Sequence, residues 1–159
     1  MSPALTPNGS ISALKLRNII EQLLADHQNK LGGNILGVYR YESGLVEPAI
    51  AIGNPPNDVD VEGLECQLPL FPDTRNEWAT VAVHSQEMWD IILVQRNGRE
   101  DEDGNSLPPT LPAAVDRLRR FFVVSEGVYT PQDDILGSYP QYRLTFQISD
   151  LHPIINYRI

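Results

Sequence analysis

Cysteine is nearly absent from this chain, and long apolar runs are absent altogether. Cys66 is the sole thiol among 159 residues, so no internal disulfide can form. That fits assembly in a reducing compartment. Its alternating apolar neighbours predict a small core or strand position. No apolar stretch approaches the roughly 20 residues of a membrane-crossing helix, so no membrane contact is expected. The first ten residues lack the basic-then-apolar pattern of a secretory leader. Basic residues are outnumbered 12 to 21, for a formal net charge of −9. Nucleic-acid affinity comes from neutralising phosphates, so generic DNA or RNA binding is disfavoured.

Recognisable chemistry is missing as well. His27, His84 and His152 lie far apart, outside the spacings that helical zinc sites use. No Gly-x-Ser-x-Gly elbow, phosphate-binding glycine loop or dinucleotide fingerprint occurs. The acidic stretch around Asp101, Asp103 and Gly104 resembles a calcium loop. Aligning its glycine, however, puts Arg99 at the first ligand position and Thr110 where a bidentate glutamate belongs. No catalytic residue, metal or cofactor is expected. A solvated loop is the expectation for residues 97–106.

What the chain does contain is a helix–sheet frame. Its length suits one domain, and a compact chain of this size buries roughly 68–70% of its unfolded surface without a staple. Residues 1–10 read as a flexible arm, 11–150 as a single α+β domain, and 151–159 as an extension. Leu16, Ile19, Ile20, Leu23 and Leu24 share one helical face. Ser10 or Ser12 is the expected cap, and Gly32–Gly33 the expected stop. Strands are predicted over 34–41, over Val46–Ile52 in one piece, and through Leu64, Cys66, Leu68 and Leu70. Further strands are predicted over 79–83, over Trp89–Gln95 and over Gln141–Ser149. His84–Glu87 either links two strands or lies within one. Pro72–Glu77 reads as polar loop. Thr110 and Pro112 open a second helix that runs to Phe122, with Arg117, Arg119 and Arg120 towards its end, where cations suit the dipole. The fold class is therefore α+β: a mainly antiparallel or mixed sheet flanked by an N-terminal helix and a second helix near 111–122.

The arginine trio is the only basic cluster. It reads either as a solvated face or as a contact for an acidic neighbour, such as Asp101 and Asp103 of another copy. Residues 151–159 are apolar where polar fraying is usual. Ile154, Ile155 and Tyr157 are expected to dock on a neighbouring subunit or partner.

The order of elements resembles the tail terminator, or tail completion, proteins of long-tailed bacteriophages. The resembling pieces are the helix Leu16–Leu31, the strands Val46–Ile52, Trp89–Gln95 and Tyr142–Ser149, and the helix Leu111–Phe122. The likeness is one of order and length and carries over no site residue. It implies a homo-oligomeric ring of six that caps the tail tube protein, ends tube polymerisation and meets a head-completion or connector protein. DNA would pass through the channel without specific binding. Its place would be the virion neck, after assembly in the host cytoplasm. Two other functions fit the same residues: a connector, stopper or neck adaptor, and a small cytoplasmic enzyme whose site is built from scattered polar residues.

Overall fold

The computed structural model describes residues 11–78, 83–96, 103, 110–133, 135 and 137–147. The expected arm at 1–10, the strand residues 79–82 and the extension 151–159 lie outside them. Two helices lie on one face of a larger sheet, and a smaller sheet adjoins it. This is the α+β arrangement read from the sequence.

Helix α1 (Ala13–Ala25) buries the predicted stripe of Leu16, Ile19, Ile20, Leu23 and Leu24. Each such side chain contributes about 1.5–3 kcal/mol on leaving water. The Ser12 hydroxyl accepts from Lys15 N at 3.1 Å and starts the helix. The helix ends at Ala25, well before the glycine pair. Asp26 enters the left-handed region with φ 45°. Its carboxylate then accepts from the backbone N–H groups of Lys30, Leu31 and Gly33 at 2.9, 2.7 and 2.8 Å. Hydrogen bonds to an ionised carboxylate are stronger than neutral ones, so this anion with three donors fixes the 26–33 loop.

Strands β1 (Val38–Tyr41), β2 (Val46–Pro48) and β4 (Val59–Glu62) form the small sheet, in the order β2-β1-β4. The large sheet runs β3 (Ile50–Ile52), β5 (Leu64–Leu68), β7 (Val83–Gln95), β9 (Gln141–Gln147) and β8 (Val124–Thr130). Strand β6 (Asp73–Trp78) continues beyond β5 along the same edge of β7. Among the described residues only β3 and β5 are parallel, and every other pair is antiparallel.

The run Val46–Ile52, expected as one strand, is shared between sheets. Ala49 is the break: its N–H donates to Gly37 O at 2.9 Å and its carbonyl accepts from Cys66 N at 2.8 Å. The next pair of strands repeats the device, with β4 in the small sheet and β5 in the large one. The backbones cross closely at Gly37. A Cβ there would strike the Glu62 carbonyl and come within 2.7 Å of Leu64 N.

Two polar-looking stretches are strands. Residues Asp73–Trp78, expected as loop, form β6, and the segment 123–140 supplies β8. His84–Glu87 lies inside the single long strand β7, in continuous register with β6. The helix-facing side of the large sheet carries Leu64, Cys66, Leu68, Trp89, Ile91, Leu93, Leu144 and Phe146. Phe122 stacks on Phe146 with ring centroids 4.5 Å apart. On the opposite side of β9, Thr145 is also buried, although the alternation of Tyr142, Leu144 and Phe146 with Arg143, Thr145 and Gln147 predicts one buried face and one wet one.

Helix α2 (Leu111–Phe121) lies over β7 and β9 and against α1. Thr110 sits at its N-cap, but its hydroxyl does not cap it. Gln95 at the end of β7 does so instead: its Oε1 accepts from Thr110 N and Leu111 N, both at 3.0 Å. The reciprocal tie comes from Arg117. Its Nη1 donates to Leu23 O, Leu24 O and Gly33 O at 3.1, 3.3 and 2.8 Å. A cation thus sits on the C-terminal carbonyls of α1, where four acceptors lack helical partners. Among the described residues no helix is long and apolar enough to cross a membrane.

Burial draws the Asp26 carboxyl up, but its three backbone donors and the charge of Arg117 outweigh that and hold it below the ordinary carboxylate range. A depressed carboxylate stabilises the fold above its unfolded value, and the effect is lost as pH falls through the folded value. Asp26→Asn is therefore expected to be less stable than the parent at neutral pH. In urea titrations the difference should shrink once pH drops below about 4. Arg117→Ala, which leaves buried carbonyls at the end of α1 without their donor, should cost about 1–3 kcal/mol by the same measurement. Gly37→Ala should cost at least about 1–3 kcal/mol, because the obstructing atoms are backbone.

Candidate interaction surface

The arginine trio is divided by the fold. Arg117 is buried and employed inside the subunit, so it faces neither solvent nor a neighbour. The helical spacing put it beside Arg119 and Arg120, but α1 covers only the side of α2 that carries Arg117. Arg120 pairs with Asp116 one turn back at 2.9 Å on the open surface, an arrangement of small energetic worth. Arg119 reaches across to β9. Its Nη2 donates to the Tyr142 hydroxyl at 2.7 Å, and its guanidinium carbon lies 5.9 Å from that ring's centre. Asp103 is exposed. Asp101, Ile154, Ile155 and Tyr157 lie outside the described residues.

Arg119 and Tyr142 form one wall of an apolar groove of about 460 Å³. Leu111, Pro112, Val115 and Asp116 of α2 and Tyr129 of β8 complete it. Leu111 and Val115 show only their outer atoms, whereas Tyr129 is 54% exposed. Strand β8 pairs with β9 alone among the described residues, and among them its other edge is open. From Ser125 to Thr130 every residue of β8 is exposed, including Val128. A bulge between Val124 and Glu126 is the usual kind of protection for an edge, but it guards only the start of the strand. The segment 123–140 is mixed in composition and carries no clear period. Its β-branched and aromatic content, Val124, Val128, Tyr129 and Thr130, was the available strand signal.

A second apolar feature lies on the far side of β7. Gln67 of β5 faces Ile92, and Asp73 of β6 faces Met88, so six steps of one chain oppose four of the other. The surplus loops out between Pro69 and Pro72, leaving Leu70 60% and Phe71 79% exposed. Proline suits such interruptions because it brings no ladder N–H.

Several polar groups elsewhere are used inside the fold. Glu65 is fully buried beneath the small sheet. It accepts from the Tyr39 hydroxyl at 2.7 Å, from Arg96 Nε and Nη2 at 2.9 and 2.7 Å, and from Gln67 at 3.1 Å. Burial, and then the bond to Glu65, pushes the Tyr39 phenol far up. Cys66 is fully buried, and burial raises its thiol well above its ordinary value, which makes it unreactive. An open polar hollow of about 580 Å³ on the small sheet is lined by Arg40, Tyr41, Glu42, Asp58, Val59 and Asp60. Arg40 there is tied to Glu62 at 2.9 Å. Among the described residues no group of histidine, cysteine and carboxylate side chains could hold a metal ion.

Comparison with protein-family models, with curated proteins and with solved structures finds no match to this chain. The groove and the open edge are therefore interpreted on their own geometry. They can receive apolar side chains and an added strand.

A Cβ at Gly127 would lie 2.5 Å from the Tyr142 hydroxyl and 2.6 Å from Arg119 Nη2, both ends of movable side chains. Gly127→Ala should thus displace the Arg119–Tyr142 wall at little cost to the fold. The expected result is a thermal midpoint within about 4 °C of the parent, with clearly shifted Tyr142 ring resonances.

Proposed function

We propose that this chain is a structural assembly protein that works as a ring of copies, in the manner of the tail terminator proteins its element order resembles. In that role six copies cap the tail tube, stop its growth and present a face to a head-completion or connector protein. The observation that carries the proposal is the open edge of β8 beside the apolar groove. An unguarded edge next to apolar surface is a template for association, and head-to-tail contacts that close produce rings.

Charge supports the same role. Each copy carries −9, so six carry about −54. A channel in such a ring repels DNA and lets it pass without adhering. A connector or neck adaptor would use the same surface and differ in its partner.

The test is the assembly state of the full chain, alone and with purified tail tubes, by sedimentation and particle imaging. Rings seated on tube ends are expected. A chain that stays a single copy at high concentration and ignores tubes sinks the proposal. Binding to a portal-side connector, but not to tubes, favours the adaptor role.

A further inference from the structure

Two apolar features on opposite flanks of the large sheet match each other. One is a projection: Pro69 and Pro72 force Leu70 and Phe71 out of the β5–β6 line. The other is the groove between α2 and the β9–β8 end. They lie on either side of β7, since β5 and β6 border one of its edges and β9 the other. One copy therefore cannot bring its projection into its own groove without crossing the sheet. A second copy can do so directly.

We infer that Leu70 and Phe71 of one copy insert into the groove of the next, making the head-to-tail contact of the ring. This deepens the ring proposal and rests on it. The apolar part of the match is Phe71 and Leu70 against Leu111, Val115, Tyr129 and Pro112. An aromatic side chain that enters such a groove buries about 150–250 Å². Charge agrees too. Asp73, exposed just beyond the projection, meets a groove rim that carries Arg119. Asp116 is also on that rim, but Arg120 already neutralises it. A projection and a pocket on different parts of one surface form a heterologous contact. Such a contact repeats from copy to copy and ends only when the ring closes.

Four full-length variants test this, all at exposed positions that tolerate change: Phe71→Asp, Tyr129→Asp, Asp73→Arg and Arg119→Asp. Circular dichroism and thermal unfolding establish that each folds. Phe71→Asp and Tyr129→Asp are each expected to remain single copies where the parent forms rings. Mixed together they should form a two-copy complex, because one retains the groove and the other the projection. Asp73→Arg and Arg119→Asp should each weaken assembly at least tenfold, and combining them in one chain should restore most of it. If the parent forms rings and Phe71→Asp does so equally well, the contact is wrong while the ring stands. If assembly is lost with Ile155→Asp but not with Phe71→Asp, the groove receives residues 148–159 instead, which also overturns the contact. A parent that never assembles, alone or on tubes, removes the ring and this contact together.

Discussion

The Arg117 guanidinium is the tie on which the arrangement of the two helices depends. It leaves α2, crosses to α1 and takes three backbone carbonyls near that helix's end. Nearby, Asp26 gathers three N–H groups of the loop that follows α1. Anion and cation lie close enough to feel each other's charge, and the attraction offsets part of the desolvation of each. Arginine suits this position because its planar fork stays charged when buried and can serve several acceptors at once. Both helices lie over one sheet face, so fixing their contact also fixes the groove wall that α2 supplies.

The same logic recurs at the other end of α2. Gln95 ends β7 and closes the helix's first turn, so the helix is held at its start by the sheet and along its length by α1. The sheets are joined in a comparable way. Glu65 sits in the large sheet and binds Tyr39 of the small one, with Arg96 closing the network from the end of β7. Polar atoms in this protein serve mainly to connect elements. Beside the exposed charges, the described surface presents apolar features: a projecting Leu70–Phe71 pair, a groove and a strand edge that no described residue pairs.

Much of the frame was legible in the sequence. The stripe from Leu16 to Leu24, the alternation in Gln141–Gln147 and the proline-opened helix at 111 each carry a strong period, and each appears where the period put it. The failures share a cause. Strands β6 and β8 lack a clean apolar alternation and lie at edges among the described strands, where pairing with a neighbour outweighs that lack. Val46–Ile52 reads as one extended run, and nothing in its composition marks Ala49 as the residue where it changes sheets. The break follows from Gly37 and Cys66 bonding to the same residue from two directions. The candidate surface was only partly legible. Arg119 was singled out and borders the groove. Tyr129, Tyr142, Leu70 and Phe71 could not be singled out, because exposure is a property of packing.

The sequence by itself determined the acidic balance, the absence of a disulfide framework and the class of fold. These depend on counts and on short-range periodicity. The tertiary structure decided which charges are used internally and which face out. Arg117, Arg119 and Arg120 are near neighbours on one helix, yet one is buried on carbonyls, one bridges to a tyrosine and one pairs on the surface. Helical spacing fixes the directions in which those side chains leave the axis. Only the packing of α1 and β9 around that axis determines what each of them meets.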